Sequence, residues 1–401
     1  MIYIVSELYY PEETSTGHFL TKIAEGLADK QAVTALCSQP TYSQRGILAP
    51  KREVHNKVII HRSWGGRLNK NHLAFRVFNF LTISFSLSLS GLLRFGRDDK
   101  VIVVTNPPLL PFLIIIAAKV KRSKAVLLVH DVYPEVLVAA GILESGAFFY
   151  KLILKVNKWL YNNVERIIVI GRDMQKLASS KCTDKNKIHL ITNWADLDII
   201  YPLPRSKNNL LSSMGLANKF VVQYCGNMGR THGLEYLLHA AEELYPRLPD
   251  LHFLMIGSGA RKKWLEQQVS LRKIANMSIL SRCARDELNE TLNACDIAVI
   301  SFAQGMSGVS VPSRMYNIMA AGKPILAITD NDSELAMVVR EEEIGWVVSP
   351  GDAESLKNIL ELAVANKELL VGMGERARKV AQSKYSLHAV VDSYRDFLDS
   401  I

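Results

Sequence analysis

Four short stretches of this 401-residue chain carry side chains that could hold an anion or move a proton. In GNMGRTHG, residues 226 to 233, Gly226, Gly229 and Gly233 surround Asn227 and Arg230. Glycines let backbone N–H groups come close to an anion, and an arginine can grip a diphosphate through two parallel hydrogen bonds. In IGSG, Gly257 and Gly259 make a turn against which a flat base or a ribose can lie. In GVSVPSRMYNIMAAGKP, residues 308 to 324, Ser310 and Ser313 offer hydroxyls, and Arg314 opens a short apolar helix that stops at Gly322. Ser313 suits the N-cap of that helix. A cation in the first turn opposes the helix dipole unless an anion sits there, so Arg314 predicts an anionic ligand. In HDVYPE, an imidazole and two carboxylates, His130, Asp131 and Glu135, follow an apolar run. Any of the three could take the proton of an attacking hydroxyl, with Asp131 the first choice, Glu135 the second and His130 the third. Glu334, in DNDSELAMVV, is a further candidate for a ribose hydroxyl.

These stretches need elements to hold them. Short β-rich runs alternate with helical patterns along the whole chain, among them MIYIV, VIVV, AVLLVH and RIIVI in the first half and FVVQYC, LHFLMIG, DIAVIS and PILAIT in the second. That alternation predicts an α/β fold of two doubly wound parallel-sheet domains, Rossmann-like and facing a cleft. The boundaries fall at 1–195 for the first domain, 196–218 for a Pro-, Asn- and Ser-rich linker, 219–383 for the second domain and 384–401 for a C-terminal helix that could return to the first. In such sheets ligands bind at the carboxyl ends of the strands, which is where all four stretches fall.

A net charge of +9 and a pI near 9.2 give a surface that attracts anions, from nucleotides to lipid headgroups. Nucleic acid is not expected, because the basic residues lack interleaved aromatics or a known module. Five cysteines without a C-x-x-C pair read as reduced thiols, with no structural zinc and no metal site expected. The start MIYIVSELYYPEET resembles a buried strand rather than an export signal. The segment 72–95 departs from the pattern: it is long and apolar, flanked by Arg62, Arg67, Lys70, Arg94, Arg97 and Lys100, with Arg76 and Asn79 inside it. Those polar residues argue against a spanning helix, leaving a core helix with a basic rim or one that lies on an anionic membrane surface.

In order, GNMGRTHG, IGSG, DIAVIS, PSRMYNIMAAGKP and SELAMVV...EIGWVV resemble the donor domain of the family-four retaining glycosyltransferases, which have the GT-B fold. SELYYPEETSTGHFL, VTNPP, HDVYPE and ITNWAD are similar to the branch that builds bacterial surface polysaccharides such as O-antigen, capsule and colanic acid. The resemblance implies a metal-independent hexosyl- or N-acetylhexosaminyltransferase with no cofactor beyond a UDP- or GDP-sugar donor. The basic surface and the 72–95 segment predict, beside it, a cytoplasmic protein at the inner face of the plasma membrane with a lipid-linked saccharide acceptor, and Arg76 and Arg94 on the membrane or acceptor side. Arg230 and Arg314 then fall on the donor diphosphate, and Gly17 matches a glycine, in the loop after the first strand, that lets the phosphate approach. Family members often carry two glutamates at positions matching Val309 and Asn317, and neither is present. Asn317 keeps an amide for a ribose; Val309 replaces no carboxylate. That departure admits an alternative, a non-catalytic subunit that only binds nucleotide sugar within a transferase complex.

Overall fold

The computed structural model describes residues 1–41, 48–68 and 72–401, so the flanking Lys70 lies outside the described residues. The first domain is built on β1 (Ile2–Val5), β2 (Val33–Ser38), β3 (Arg52–His55), β4 (Val58–Ser63), β5 (Lys100–Val104), β6 (Lys124–Val129), β7 (Arg166–Val169) and β8 (Ile188–Leu190). Their order across the sheet is β3-β4-β2-β1-β5-β6-β7-β8. Seven strands run parallel, but β3 pairs antiparallel with β4 through a turn in which Asn56 and Lys57 take positive φ. The sequence alternation did not anticipate this edge hairpin. It also buries Arg62, whose guanidinium donates to Pro50 O and Tyr10 O at 2.8 and 2.7 Å, so this arginine belongs to the core and not to a basic rim.

The second domain is built on β9 (Phe220–Asn227), β10 (Leu251–Ser258), β11 (Met277–Leu280), β12 (Ile297–Ser301), β13 (Ile325–Ile328) and β14 (Gly345–Val348), all parallel in the order β11-β10-β9-β12-β13-β14. Separate apolar clusters fill its two faces, as a sheet covered on both sides requires. The segment after Trp194 is packed rather than loose: Ala195, Ile200, Leu211 and Leu216 are buried in one of those clusters. The chain crosses between the domains at two adjoining points, where Ala195 N–H donates to Tyr385 O at 2.7 Å. The final helix, Leu387–Asp399, returns to the first domain, burying Val390, Tyr394, Phe397 and Leu398 in its core.

The handedness of crossovers decides which helices share a face. From β4 to β5, β5 to β6 and β6 to β7 the chain moves one way across the sheet, so the helices Leu73–Arg94, Leu110–Lys121 and Phe148–Asn163 lie side by side. From β1 to β2 it moves the other way, which puts Ser15–Ala28 on the opposite face with the C-terminal helix.

Candidate functional site

Strand order reverses beside β9 in the second sheet and beside β1 in the first, and the loops leaving these strands face one another. Arg314 stands at the centre of the second-domain side. Its guanidinium carbon lies 4.6 Å from the centroid of the Tyr224 ring, and its Nη1 is 3.5 Å from Cys225 O. Its Nη2 is buried without a hydrogen-bond partner. A charged donor left unmatched in this way costs free energy that an anionic acceptor would recover. The Tyr224 hydroxyl donates to Asn227 O at 2.5 Å, tying the glycine loop to the strand beneath Arg314. His232 in the same loop is pushed down to about 3 by burial and then by the charge of Arg314, so it is neutral at ordinary pH.

The helix Arg314–Ala320 has seven residues, and one expectation about it is corrected. Ser313 occupies the boundary position with helical angles and makes no side-chain cap hydrogen bond. The glycines of IGSG serve packing first: a Cβ on Gly257 would lie 1.9 Å from Gly226 O, and one on Gly259 would lie 2.5 Å from Met228 O. Asn227, the last residue of β9, and Arg230, in the loop that follows, are exposed.

On the first-domain side, Thr105 Oγ1 accepts from the N–H groups of His130 and Asp131 at 3.2 and 3.3 Å and fixes their turn. Asp131 forms an isolated bridge with Ser310, and Val132 N–H donates to Val309 O at 3.0 Å, so HDVYPE meets the PSR loop directly. Burial pushes the Asp131 carboxyl above the usual carboxylate range, with the Ser310 hydroxyl opposing the shift. Burial pushes His130 down to about 4. Asp131 and Ser310 are thus brought together at the cleft, with His130 one residue before Asp131 in the chain.

Other candidates are committed elsewhere. Glu135 forms an ion pair with the buried Lys181, whose Nζ also donates to Tyr133 O at 2.6 Å; it anchors a turn and is not free to move a proton. Glu334 is buried and takes Arg172 N–H at 2.7 Å and Arg172 Nε at 3.0 Å, so its oxygens hold the first domain and not a ribose. Gly17 lies inside the Ser15–Ala28 helix, not in a loop, and its N–H is capped by Thr14 Oγ1 at 3.3 Å. Asn317 Oδ1 accepts from Asp196 N–H at 3.0 Å, and Val309 is core, 2% exposed. Arg76 and Arg94 are exposed on the Leu73–Arg94 helix, Arg76 over the Phe80 ring and Arg94 bonded to Ser90 Oγ at 2.9 Å.

Two interdomain clusters went unread in the sequence. Arg172 bridges Glu334 and Glu341, and its neighbour Asp173 accepts from Gly308 N–H at 2.8 Å and Glu334 N–H at 2.9 Å. Asp173 thereby holds the loop that carries Ser310, and Gly308, at φ +72, has no room for a Cβ beside Asp173 O. At the other end of the cleft, Asp196 Oδ2 lies 2.5 Å from Arg285 Nη2 and 3.2 Å from His18 Nε2. Burial alone would raise the Asp196 carboxyl, but the hydrogen bond and charge of His18, then Arg285 and Lys22, hold it below its ordinary value. The signal for both was available: GRD follows β7, and Asp196 closes ITNWAD, each at a strand's carboxyl side.

Comparison with known proteins agrees with this architecture. Residues 211–380 match the family model described as glycosyl transferases group 1. The chain is 30% identical over 399 residues to the probable glycosyltransferase WbjE of Pseudomonas aeruginosa, covering 98% of this chain and 96% of that one. It is 25% identical over 244 residues, 60% of each chain, to the putative colanic acid biosynthesis glycosyl transferase WcaI of Escherichia coli K12. HepE of Anabaena, solved in complex with UDP-glucose, superposes with a TM-score of 0.76 at 16% identity, over 100% of this chain and 99% of its own, which speaks for the fold. Two facing parallel-sheet domains in the GT-B arrangement, with similarity to WbjE running through nearly both full chains, place this protein in the group 1 glycosyl transferase family.

Proposed function

We propose that the protein transfers a sugar, with retention at the anomeric carbon, from a nucleoside-diphosphate sugar to a hydroxyl of a lipid-linked saccharide in cell-surface polysaccharide assembly. The observation that carries the reading is Arg314: a guanidinium laid on Tyr224 with a buried, unmatched Nη2 at the carboxyl edge of the second sheet. The bond from the anomeric carbon to the diphosphate oxygen breaks, and Arg314 with Arg230 offsets the charge that develops on the leaving group. These cations replace a metal ion in this scheme. The acceptor oxygen forms its bond on the same face, and its proton passes to Asp131, whose raised carboxyl is a better base than an ordinary aspartate. The names of WbjE and WcaI support polysaccharide synthesis, and the UDP-glucose in HepE supports a nucleotide-sugar donor, UDP- or GDP-linked. A place on the cytoplasmic side of the plasma membrane follows from such an acceptor.

A screen of UDP- and GDP-sugars by thermal shift and hydrolysis, on wild type and Arg314→Ala, tests this. One donor should raise the melting temperature by mass action and turn over in wild type alone. If no donor stabilises the protein, or Arg314→Ala responds equally, the reading fails. A second reading, a donor-binding subunit without catalysis, is favoured by Val309 in the core and Asn317 bonded to Asp196, the two positions where the family resemblance leads carboxylates to be expected. Stabilisation by a donor without turnover on any lipid-linked acceptor would select it.

A further inference from the structure

The three helices that share one face of the first sheet, Leu73–Arg94, Leu110–Lys121 and Phe148–Asn163, contain no Asp or Glu. They contain seven basic residues: Arg76, Arg94, Lys119, Lys121, Lys151, Lys155 and Lys158. Between those charges the outer surface is apolar. Along the first helix Phe78, Leu81, Phe85, Leu89 and Leu93 recur at helical spacing and are all exposed, Leu93 at 73%. Ile116 and Val120 continue the surface on the second helix, and Phe148, Phe149, Leu152 and Val156 on the third, Phe148 at 73%. Phe112 and Trp159 stack at 6.2 Å between the second and third helices, joining their stripes. An apolar area of this extent on one face calls for a covering phase.

The first helix is long enough and apolar enough to cross a membrane, yet its polar side is fixed to the domain. Asn79 is 1% exposed and exchanges hydrogen bonds with both Leu68 N–H, at 3.1 Å, and Leu68 O, at 2.9 Å. A helix pinned in this way presents its outer stripe sideways and cannot thread through the bilayer. A second copy of the chain is disfavoured as the covering partner, because the two faces would bring seven positive charges against seven with no acidic side chain on any of the three helices.

We infer that this three-helix face docks in the interface of an anionic lipid bilayer, with the apolar stripes inserted and the lysines and arginines at the headgroups. Apolar side chains flanked by cations are the composition that such a surface requires. Helices in these crossovers run against the strands, so their N-terminal ends lie on the cleft side. Phe75 and Arg76 begin the first helix there, and Phe148 and Phe149 begin the third. The docked face therefore reaches the rim of the cleft that holds Asp131, where an acceptor anchored in the same bilayer would enter. Docking stands apart from the sugar-transfer reading; only the delivery of the acceptor rests on it.

The test is flotation of the full chain with phosphatidylcholine vesicles with and without phosphatidylglycerol. Wild type should float only with phosphatidylglycerol, and salt should release it. Lys151→Glu/Lys155→Glu/Lys158→Glu and Phe148→Ser/Phe149→Ser should each cut the bound fraction about tenfold. Both sets are exposed, so melting temperatures and donor hydrolysis should stay at wild-type values, separating lost docking from lost folding. Wild type remaining unbound, equal binding to phosphatidylcholine alone, or variants that bind like wild type would each overturn the inference. So would a concentration-dependent dimer that the same variants abolish, since the face would then belong to a second copy. If vesicles bind and no donor turns over, docking holds and the proposed reaction fails.

Discussion

At the scale of residues, Arg314 and Asp131 carry opposite demands. Arg314→Ala should lower kcat/KM by about two orders of magnitude, as losing one preorganised charge-stabilising donor does, whereas Arg314→Lys should keep part of the rate. Steady-state kinetics with a chosen donor checks both. Asp131 has a folded pKa raised by burial, so the folded state disfavours its charged form and loses stability as pH rises through that pKa. Asp131→Asn should therefore melt higher than wild type at pH 7, with the difference vanishing at low pH, while kcat falls and the donor KM hardly moves. A variant that melts lower at pH 7 would show that the carboxylate holds Ser310 more than it suffers from burial. Cysteine chemistry divides equally sharply. The partly exposed Cys283 thiol is held below its ordinary value by its interaction with the buried Cys225, whereas burial raises Cys37 and Cys295 to about 12. Iodoacetamide at pH 7, followed by peptide mass spectrometry, should label Cys283 first, because the thiolate is the reactive form.

At the scale of elements, the PSR loop is held from outside its own domain. Asp173, at the start of the Arg172–Ser179 helix, accepts two backbone N–H groups from the second domain, and Arg172 beside it pairs with two glutamates. Asp173→Ala leaves those buried donors unmatched, which should cost about 1–3 kcal/mol and loosen Ser310 at once. Faster amide exchange at Gly308, with a raised donor KM and a smaller change in kcat, is the expected signature. Unchanged exchange there would mean that the loop keeps its shape through Asp131 and Val132 alone. The sequence made the alternation of strands and helices plain, because β-rich buried runs and amphipathic helices have different periods. It left the β3–β4 hairpin and the partners of Glu135 and Glu334 hidden. A carboxylate near a cleft reads as free until the cation opposite it, here Lys181 or Arg172, is placed by folding.

At the scale of the whole molecule, the two domains meet through charged and hydrogen-bonded clusters at both ends of the cleft, so their contact depends on pH. His130 at about 4 and His232 at about 3 lie below an unfolded histidine near 6.5. Below about pH 6.5 the unfolded chain binds more protons, and each of the two sites lowers stability by about 1.4 kcal/mol per pH unit until its folded pKa is approached. Asp196 has a depressed folded pKa, so its contribution is present above the unfolded carboxylate value and disappears only as pH falls below it. Urea unfolding should thus show a decline from pH 6.5 to about 4 that His130→Asn makes shallower, and a further loss below that which Asp196→Asn removes. A flat profile between pH 7 and 5 would contradict the buried neutral histidines.

The amino-acid sequence by itself determined the two-domain α/β architecture, the edge of each sheet at which chemistry gathers, and the unusual basic start of the Arg314 helix. Those follow from local patterns: hydrophobic periodicity, glycine-rich turns and a charge at the wrong end of a helix. Only the tertiary structure decided which charges remain unmatched. Arg314 keeps a buried Nη2 without a partner, whereas Glu135, Glu334 and Asn317 are each matched by a group more than 40 residues away in the chain. Pairing at that separation depends on how strands order and domains close, which no short stretch encodes. The same holds for the apolar face, which exists because three helices distant in sequence take crossovers of one hand and align their outer stripes.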